Sequence, residues 1–229
     1  MNLFLKLIIF IAIDIYIFRN FGKLFGFLGL GIIIYRFLYS LGFLRTPKIY
    51  RGAFNEGVAY LKDYKGKYFN PNAFKEGLDL IKKYDLKDFV LIGIYYDRPG
   101  NIPETEYKSS IGIYRKNVGF PDPVPKEFEE FCKKNNYYCA ELPSTSSIYS
   151  DWEYSNHFIM MMGILKFYKN IKLGLQDDSF RKMYKISEKS KVCIELYVTE
   201  SSMKFFIPTV NEDKFMLYRK EDEDKPKSQ

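Results

Sequence analysis

The chain of 229 residues has one histidine, His157, and that count limits its chemistry at once. A two-histidine metal site is impossible, and a Ser/His/Asp triad would have to use His157, with Asp151 and several serines nearby in sequence. No Gly-x-Ser-x-Gly elbow accompanies it, so His157 reads as a residue at the start of a helix. Met160, Met161 and Met162 suggest soft metal or haem ligation, but three consecutive helical residues face different sides and cannot converge on one ion. Cys132, Cys139 and Cys193 are odd in number and lack metal-ligand spacing, which makes them reduced core thiols. No catalytic residue, metal or cofactor is expected from these positions.

One carboxylate stands out. Glu195 alternates within Val192–Val198 (VCIELYV), a segment that otherwise reads as a mostly buried strand. A half-buried Glu in an aromatic cleft could attract a cationic ligand or act as an acid or base; alternatively it lies on the solvent face. Tyr95, Tyr96 and Asp97 pose the same choice between cleft wall and strand core followed by a turn-capping Asp.

The elements that must position these residues follow from periodicity. Residues 1–45 form an apolar leader, expected to remain as a membrane anchor because its apolar character resumes after Lys23 with no cleavage site. Residues 24–44 carry Arg36 as their sole charge, and as a helix of about 31 Å they are expected to cross a bilayer. Residues 3–18 are shorter and contain Lys6 and Asp14; an interfacial helix, one arm of a hairpin and part of a longer tilted helix all fit. Basic residues flank both ends of the span, so topology stays open.

The domain expected over 46–218 begins with a strand at 48–54, then an interrupted helical region at 58–84 broken at Asn70-Pro71-Asn72. Strands at 88–96 and 107–116 follow, then a helix at 126–136 and strands at 137–142 and 146–152. A mostly helical stretch at 156–187 leads to strands at 191–199 and 203–209. The order strand, helix, strand, strand therefore occurs twice, giving an α+β fold with one antiparallel-rich sheet or paired sheets, helices on one side, and a concavity between the halves. Residues 219–229 (RKEDEDKPKSQ) form a charged tail expected to be disordered.

The net charge is +7, but Lys6, Arg19, Lys23, Arg36 and Arg45 against Asp14 place four of those charges in the leader. The remainder is mildly basic and lacks the dense stripe that nucleic acid requires, so no nucleic-acid partner is expected. Absence of an Asn-x-Ser/Thr sequon favours a cytosolic side.

Tyr95-Tyr96-Asp97-Arg98-Pro99, the Glu195-Leu196-Tyr197 strand and Phe206-Ile207-Pro208 together resemble the GyrI-like small-molecule-binding domain. More narrowly, YYDRPGNIP behind an N-terminal anchor and the Tyr50–Gly57 entry resembles the testis-expressed protein 264 family. That resemblance implies an endoplasmic-reticulum membrane protein with its GyrI-like domain in the cytosol, serving selective autophagy of the reticulum. It also implies a non-enzymatic adaptor whose cleft near Glu195, Tyr95, Tyr96, Trp152 and Tyr197 binds protein partners or an apolar cationic small molecule. A GyrI-like sensor or hydrolase using Glu195 is the alternative. The family's aromatic-x-x-aliphatic motif is missing from 219–229, and the fit at Phe89–Ile92 falls in a core strand.

Overall fold

The computed structural model describes residues 3–67, 70–97, 102–116, 123–188, 190–199 and 201–218. It divides into two units: one runs to Thr46 and takes in Ser155–Lys166, the other runs from Pro47 to Tyr154 and resumes at Phe167.

In the first unit, helices α1 (Leu3–Phe21) and α2 (Lys23–Ser40) pack against each other across Gly22, whose φ of 89° suits a residue without Cβ and breaks the helix there. This is the hairpin arrangement among those left open for 3–18. Among the described residues no helix is long and apolar enough to cross a membrane, so the crossing expected over 24–44 is not found. The chain turns at Gly22 and α2 ends at Ser40, about 27 Å from its start. Apolar side chains such as Ile8, Ile11, Ile15, Phe27, Leu28 and Ile32 are nevertheless exposed along both helices. Beyond α2, the Lys166 ammonium donates to the carbonyls of Gly42 at 2.6 Å, Phe43 at 2.7 Å and Arg45 at 2.6 Å. It thereby gathers the carbonyls of the segment that follows α2, whose own last carbonyls at Phe37, Leu38 and Tyr39 accept from the amides of Leu41, Phe43 and Gly42.

The second unit is one eight-stranded antiparallel sheet. Its strands are β1 (Tyr50–Phe54), β2 (Gly57–Lys65), β3 (Val90–Tyr95), β4 (Lys108–Lys116), β5 (Tyr138–Leu142), β6 (Thr145–Glu153), β7 (Cys193–Thr199) and β8 (Ser202–Pro208). Their spatial order is β1-β6-β8-β7-β3-β4-β2-β5. The helices are α3 (Pro71–Lys83), α4 (Lys126–Lys134), the part of α5 (His157–Gln176) from Phe167 onward, and α6 (Asp178–Tyr184). The strand, helix, strand, strand order is present twice, as β2-α3-β3-β4 and as β6-α5-α6-β7-β8. The two copies meet where β3 pairs with β7. The strand leading into each copy crosses to the other's edge: β1 pairs with β6, and β5 pairs with β2.

The sheet has two unlike faces. One is covered by helices: Phe74 of α3 meets Tyr197 edge-on at 4.8 Å, Phe128 of α4 meets Tyr60 at 4.8 Å, and Phe167 of α5 stacks on Phe205 at 4.3 Å. The other face curls on itself. Phe54 of β1 lies 5.4 Å from Tyr114 of β4, although five strand spacings would separate them by roughly 24 Å in a flat sheet. Phe54, Ile92, Ile94, Leu196, Phe206 and Phe215 form the core inside that curl.

One expected element is of another type. Residues 58–65, read as the start of a helical region, belong to β2, and only Pro71–Lys83 is helix, capped by the Asn70 side chain accepting from the Ala73 amide at 3.2 Å. The reason is tertiary: GVAYLKDYK is hydrogen-bonded on both sides, to β4 and to β5. The cysteines also divide. Cys132 and Cys193 are buried, and burial pushes the Cys132 thiol up to about 12, whereas Cys139 is exposed on the edge strand β5 and is no core thiol. The tail from 219 lies outside the described residues.

The register at the middle of the sheet can be tested at Gly112, which pairs with Leu61 on one side and Ile92 on the other. A Cβ there would stand 1.9 Å from the Tyr60 carbonyl oxygen. Gly112→Ala is expected to lower the unfolding free energy by about 3 kcal/mol, read from urea unfolding followed by the fluorescence of Trp152, the sole tryptophan. An unchanged midpoint would contradict the pairing.

Candidate ligand site

The β3–β7 seam brings three of the expected site residues together. Glu195 sits opposite Gly93, with Tyr95 and Tyr197 on the same face of the neighbouring positions. Gly93 is required here for space, because a Cβ would lie 2.8 Å from the Tyr95 ring, which folds back toward the carboxylate. Glu195 has no exposed surface. Its Oε2 accepts from the Tyr197 hydroxyl at 2.8 Å, and its Oε1 accepts from the Tyr168 hydroxyl of α5 at 3.2 Å. The Tyr95 hydroxyl faces the same carboxylate. Burial, and then the charge of Glu195, holds both Tyr95 and Tyr197 well above the ordinary tyrosine value, so both stay protonated.

A carboxylate taken wholly out of water is tolerated only where donors replace the lost hydration, and tyrosine hydroxyls supply them here. Glu195 is therefore neither half-buried in an open cleft nor on a solvent face, the two alternatives its strand position offered. A ligand or substrate reaching it would have to displace Tyr168 or Tyr197. Trp152 is buried on the same face, two strands away, opposite Met203.

Tyr96 belongs elsewhere. One residue past the end of β3, it lies on the opposite side of the sheet in the curled core. Its hydroxyl is 2.7 Å from Ser110 Oγ, which donates to Asp63 Oδ1 at 2.5 Å, and the Tyr138 hydroxyl also donates to Asp63 at 2.8 Å. Tyr95 and Tyr96 are adjacent strand residues, and the two-residue period sends them to different faces. The expected grouping of Glu195, Tyr95, Tyr96, Trp152 and Tyr197 into one cleft is thus divided by the sheet. Asp97 accepts from the Lys108 amide at 3.4 Å at the strand end. The turn residues 98–101 lie outside the described residues.

One open concavity is on the curled face, and another of similar volume, about 430 Å³, lies beside α3 with Glu76, Asp79 and Phe131 among its lining. The first, a cleft of about 430 Å³, has Leu196, Phe206, Tyr149 and Tyr114 among its walls, with Lys116 and Lys204 also lining it. The Tyr149 ring stacks on Phe206 at 6.0 Å, and the Tyr114 hydroxyl donates to the Asn55 carbonyl at 2.9 Å, so both walls are fixed. Lys204 is steadied by Asp151 at 3.3 Å, its partner in the β6–β8 register.

Sequence reasoning missed Tyr168 and these cleft residues. Tyr168 was legible in part, since Ile164, Tyr168, Ile171 and Leu175 are all buried at helical spacing along α5. The cleft was not, because its walls come from six strands whose neighbours are set by topology. The remaining candidates stand where expected: His157 opens α5, exposed, with Asn156 capping the helix through the Ile159 amide at 3.0 Å. No group of metal-ligating side chains occurs among the described residues.

No family model matches the chain, and no curated protein does. Solved structures resemble it remotely. The EcmrR C-terminal domain is 9% identical, with 71% of this chain and 96% of that one covered and a TM-score of 0.42. SAV2435 bound to tetraphenylphosphonium is 12% identical, with coverage of 70% and 93% and a TM-score of 0.44. A hydrolase from Listeria innocua is 11% identical, with coverage of 74% and 96% and a TM-score of 0.41. With TM-scores below 0.5, none of these likenesses assigns a ligand or a reaction to this chain.

The tyrosine cage makes two predictions. Tyr197→Phe removes a donor from a fully buried carboxylate and is expected to destabilise the protein by about 2 kcal/mol, measured by urea unfolding; a loss within error of zero would show that the hydroxyl is not holding Glu195. The second concerns alkali. A tyrosine whose folded value lies above its unfolded value of about 10 contributes stability that is intact below that pH and is lost as pH rises beyond it. In an ultraviolet titration, part of the 20 tyrosines should therefore ionise only together with unfolding. A single smooth transition near pH 10 with the fold retained would contradict the burial of Tyr95 and Tyr197.

Proposed function

We propose that this protein is a non-enzymatic small-molecule-binding protein whose domain from Pro47 onward takes its ligand in the cleft on the curled face of the sheet, and that its N-terminal helices hold it at a membrane. The observation that carries the first part is the cleft itself. Its volume of about 430 Å³ falls within the roughly 300–1,000 Å³ usual for small-molecule sites. Its walls are aromatic and aliphatic, they are held by stacking and by the Tyr114 hydrogen bond, no Asp or Glu is among its described lining residues, and Glu195 is sealed on the other face. A GyrI-like domain, suggested by the residues around Tyr95–Pro99 and Glu195, agrees with a binding role.

The membrane part draws on the apolar side chains exposed on α1 and α2, a surface that favours lipid over water. We place that membrane in the endoplasmic reticulum, with the domain on its cytosolic side, on the sequence resemblance alone. No autophagy partner is proposed: Phe89–Ile92 lies at and within the central strand β3, with Phe89 and Ile92 buried.

The test uses the full chain in zwitterionic-lipid nanodiscs, with empty nanodiscs as the blank and uncharged 2-naphthol as the probe in isothermal titration calorimetry. Val198 lines the cleft and is 39% exposed, so Val198→Trp fills the cleft without disturbing the core. Saturable binding that weakens roughly tenfold or more in Val198→Trp, a loss of about 1.4 kcal/mol, is the expected result. No binding, or equal binding by the variant, would reject the cleft as the site.

A further inference from the structure

The charge along this cleft is one-sided. Its lining includes Lys116 and Lys204 beside Leu196, Val198 and Phe206, and among its described residues there is no Asp or Glu. Arg51 also lines it, but its guanidinium lies 5.7 Å over the Tyr184 ring and is already engaged there. The two lysines are placed by strand register. Lys204 pairs with Leu196 across β7–β8, and Lys116, two residues beyond Tyr114 on β4, shares the face of that ring. Asp151 holds the Lys204 ammonium at 3.3 Å from outside the cleft, and an ammonium has three hydrogens to donate.

Asp151 balances Lys204 from the neighbouring strand, and no carboxylate among the described lining residues balances Lys116. Glu195 neighbours Leu196 in sequence but faces the helices, closed in by Tyr168 and Tyr197. Alternation along β7 therefore gives the cleft the apolar Leu196 and leaves its anion on the far side of the sheet.

From this arrangement we infer that the ligand is an anionic amphiphile: a flat or aliphatic apolar body lying on Leu196, Tyr149 and Phe206, with a carboxylate or comparable anion reaching Lys116 and Lys204. The inference rests on the cleft being the binding site, and it reverses the expectation of a cationic ligand at Glu195. Specificity comes from charge complementarity at the rim, where solvent screens each pair, so the preference is moderate.

The experiment compares three probes with one ring system, naphthalene-2-carboxylate, naphthalene-2-carboxamide and 2-naphthylmethylammonium, against the full chain in the same zwitterionic nanodiscs. The carboxylate is expected to bind roughly fivefold more tightly than the amide, with the ammonium weakest. Lys116→Met with Lys204→Met should abolish that preference while leaving amide affinity within about twofold. Raising salt from about 50 to about 500 mM should erode the preference in the wild type. Equal affinities for carboxylate and amide, a preference for the ammonium, or a preference that survives the double substitution would overturn the inference while the cleft stands. Failure of the uncharged amide to bind, or its indifference to Val198→Trp, would overturn the cleft and the inference together.

Discussion

A carboxylate buried at the centre of an eight-stranded sheet constrains everything around it. Glu195 has no exposed surface, and a charge in that position is tolerable only if hydrogen-bond donors replace water. The donors are phenols from different parts of the chain, Tyr197 on the same strand and Tyr168 from a helix, and the Tyr95 ring closes in from the neighbouring strand. Bringing them together requires the β3–β7 pairing, Gly93 opposite the carboxylate, and α5 laid across this face at Tyr168. The polar cage thereby fixes how the two halves of the domain join.

It also decides which face can bind. Helices α3, α4 and α5 lie over the face that bears Glu195, with aromatic contacts at Tyr197, Tyr60 and Phe205. The opposite face is covered by its own curl and by the segment after β8 that carries Phe215 and Tyr218, and curling a sheet from one edge leaves a gap where the edge strand does not close fully on the middle. That gap is the cleft, bounded by β1 on one side and by Leu196, Phe206 and Tyr114 on the other. Binding and structural rigidity are thus assigned to opposite sides of one sheet, and the change of side costs only one residue along β7.

Much of this was legible from residues. The continuous apolar run in Val90–Tyr95 and alternation in Lys108–Lys116 and Cys193–Thr199 mark strands, and the doubled order of elements is present. Glu195 was identifiable as a carboxylate within a buried strand. Two things were not. GVAYLKDYK carries apolar residues at spacings compatible with helix or strand, and only its pairing with both β4 and β5 resolves it. Which residues share a face was equally hidden: Tyr95 and Tyr96 are neighbours in sequence yet separated by the sheet, and Lys116, Tyr149 and Lys204 converge only through a strand order that periodicity does not encode. Apolar character in the first 45 residues was plain, but whether 3–18 forms a separate helix was not, and the helix over Lys23–Ser40 is not long and apolar enough for the crossing expected at 24–44.

In the proposed function, ligand binds on the curled face and not beside the buried carboxylate. Photoaffinity labelling of the full chain with a diazirine-bearing naphthalene carboxylate, followed by peptide mass spectrometry, distinguishes the two faces. Adducts are expected on β6, β7 and β8 at cleft residues such as Tyr149, Val198 and Lys204. Adducts concentrated on Tyr168 and Phe74, from the helices over Glu195, would place the ligand on the other face and contradict the proposed function.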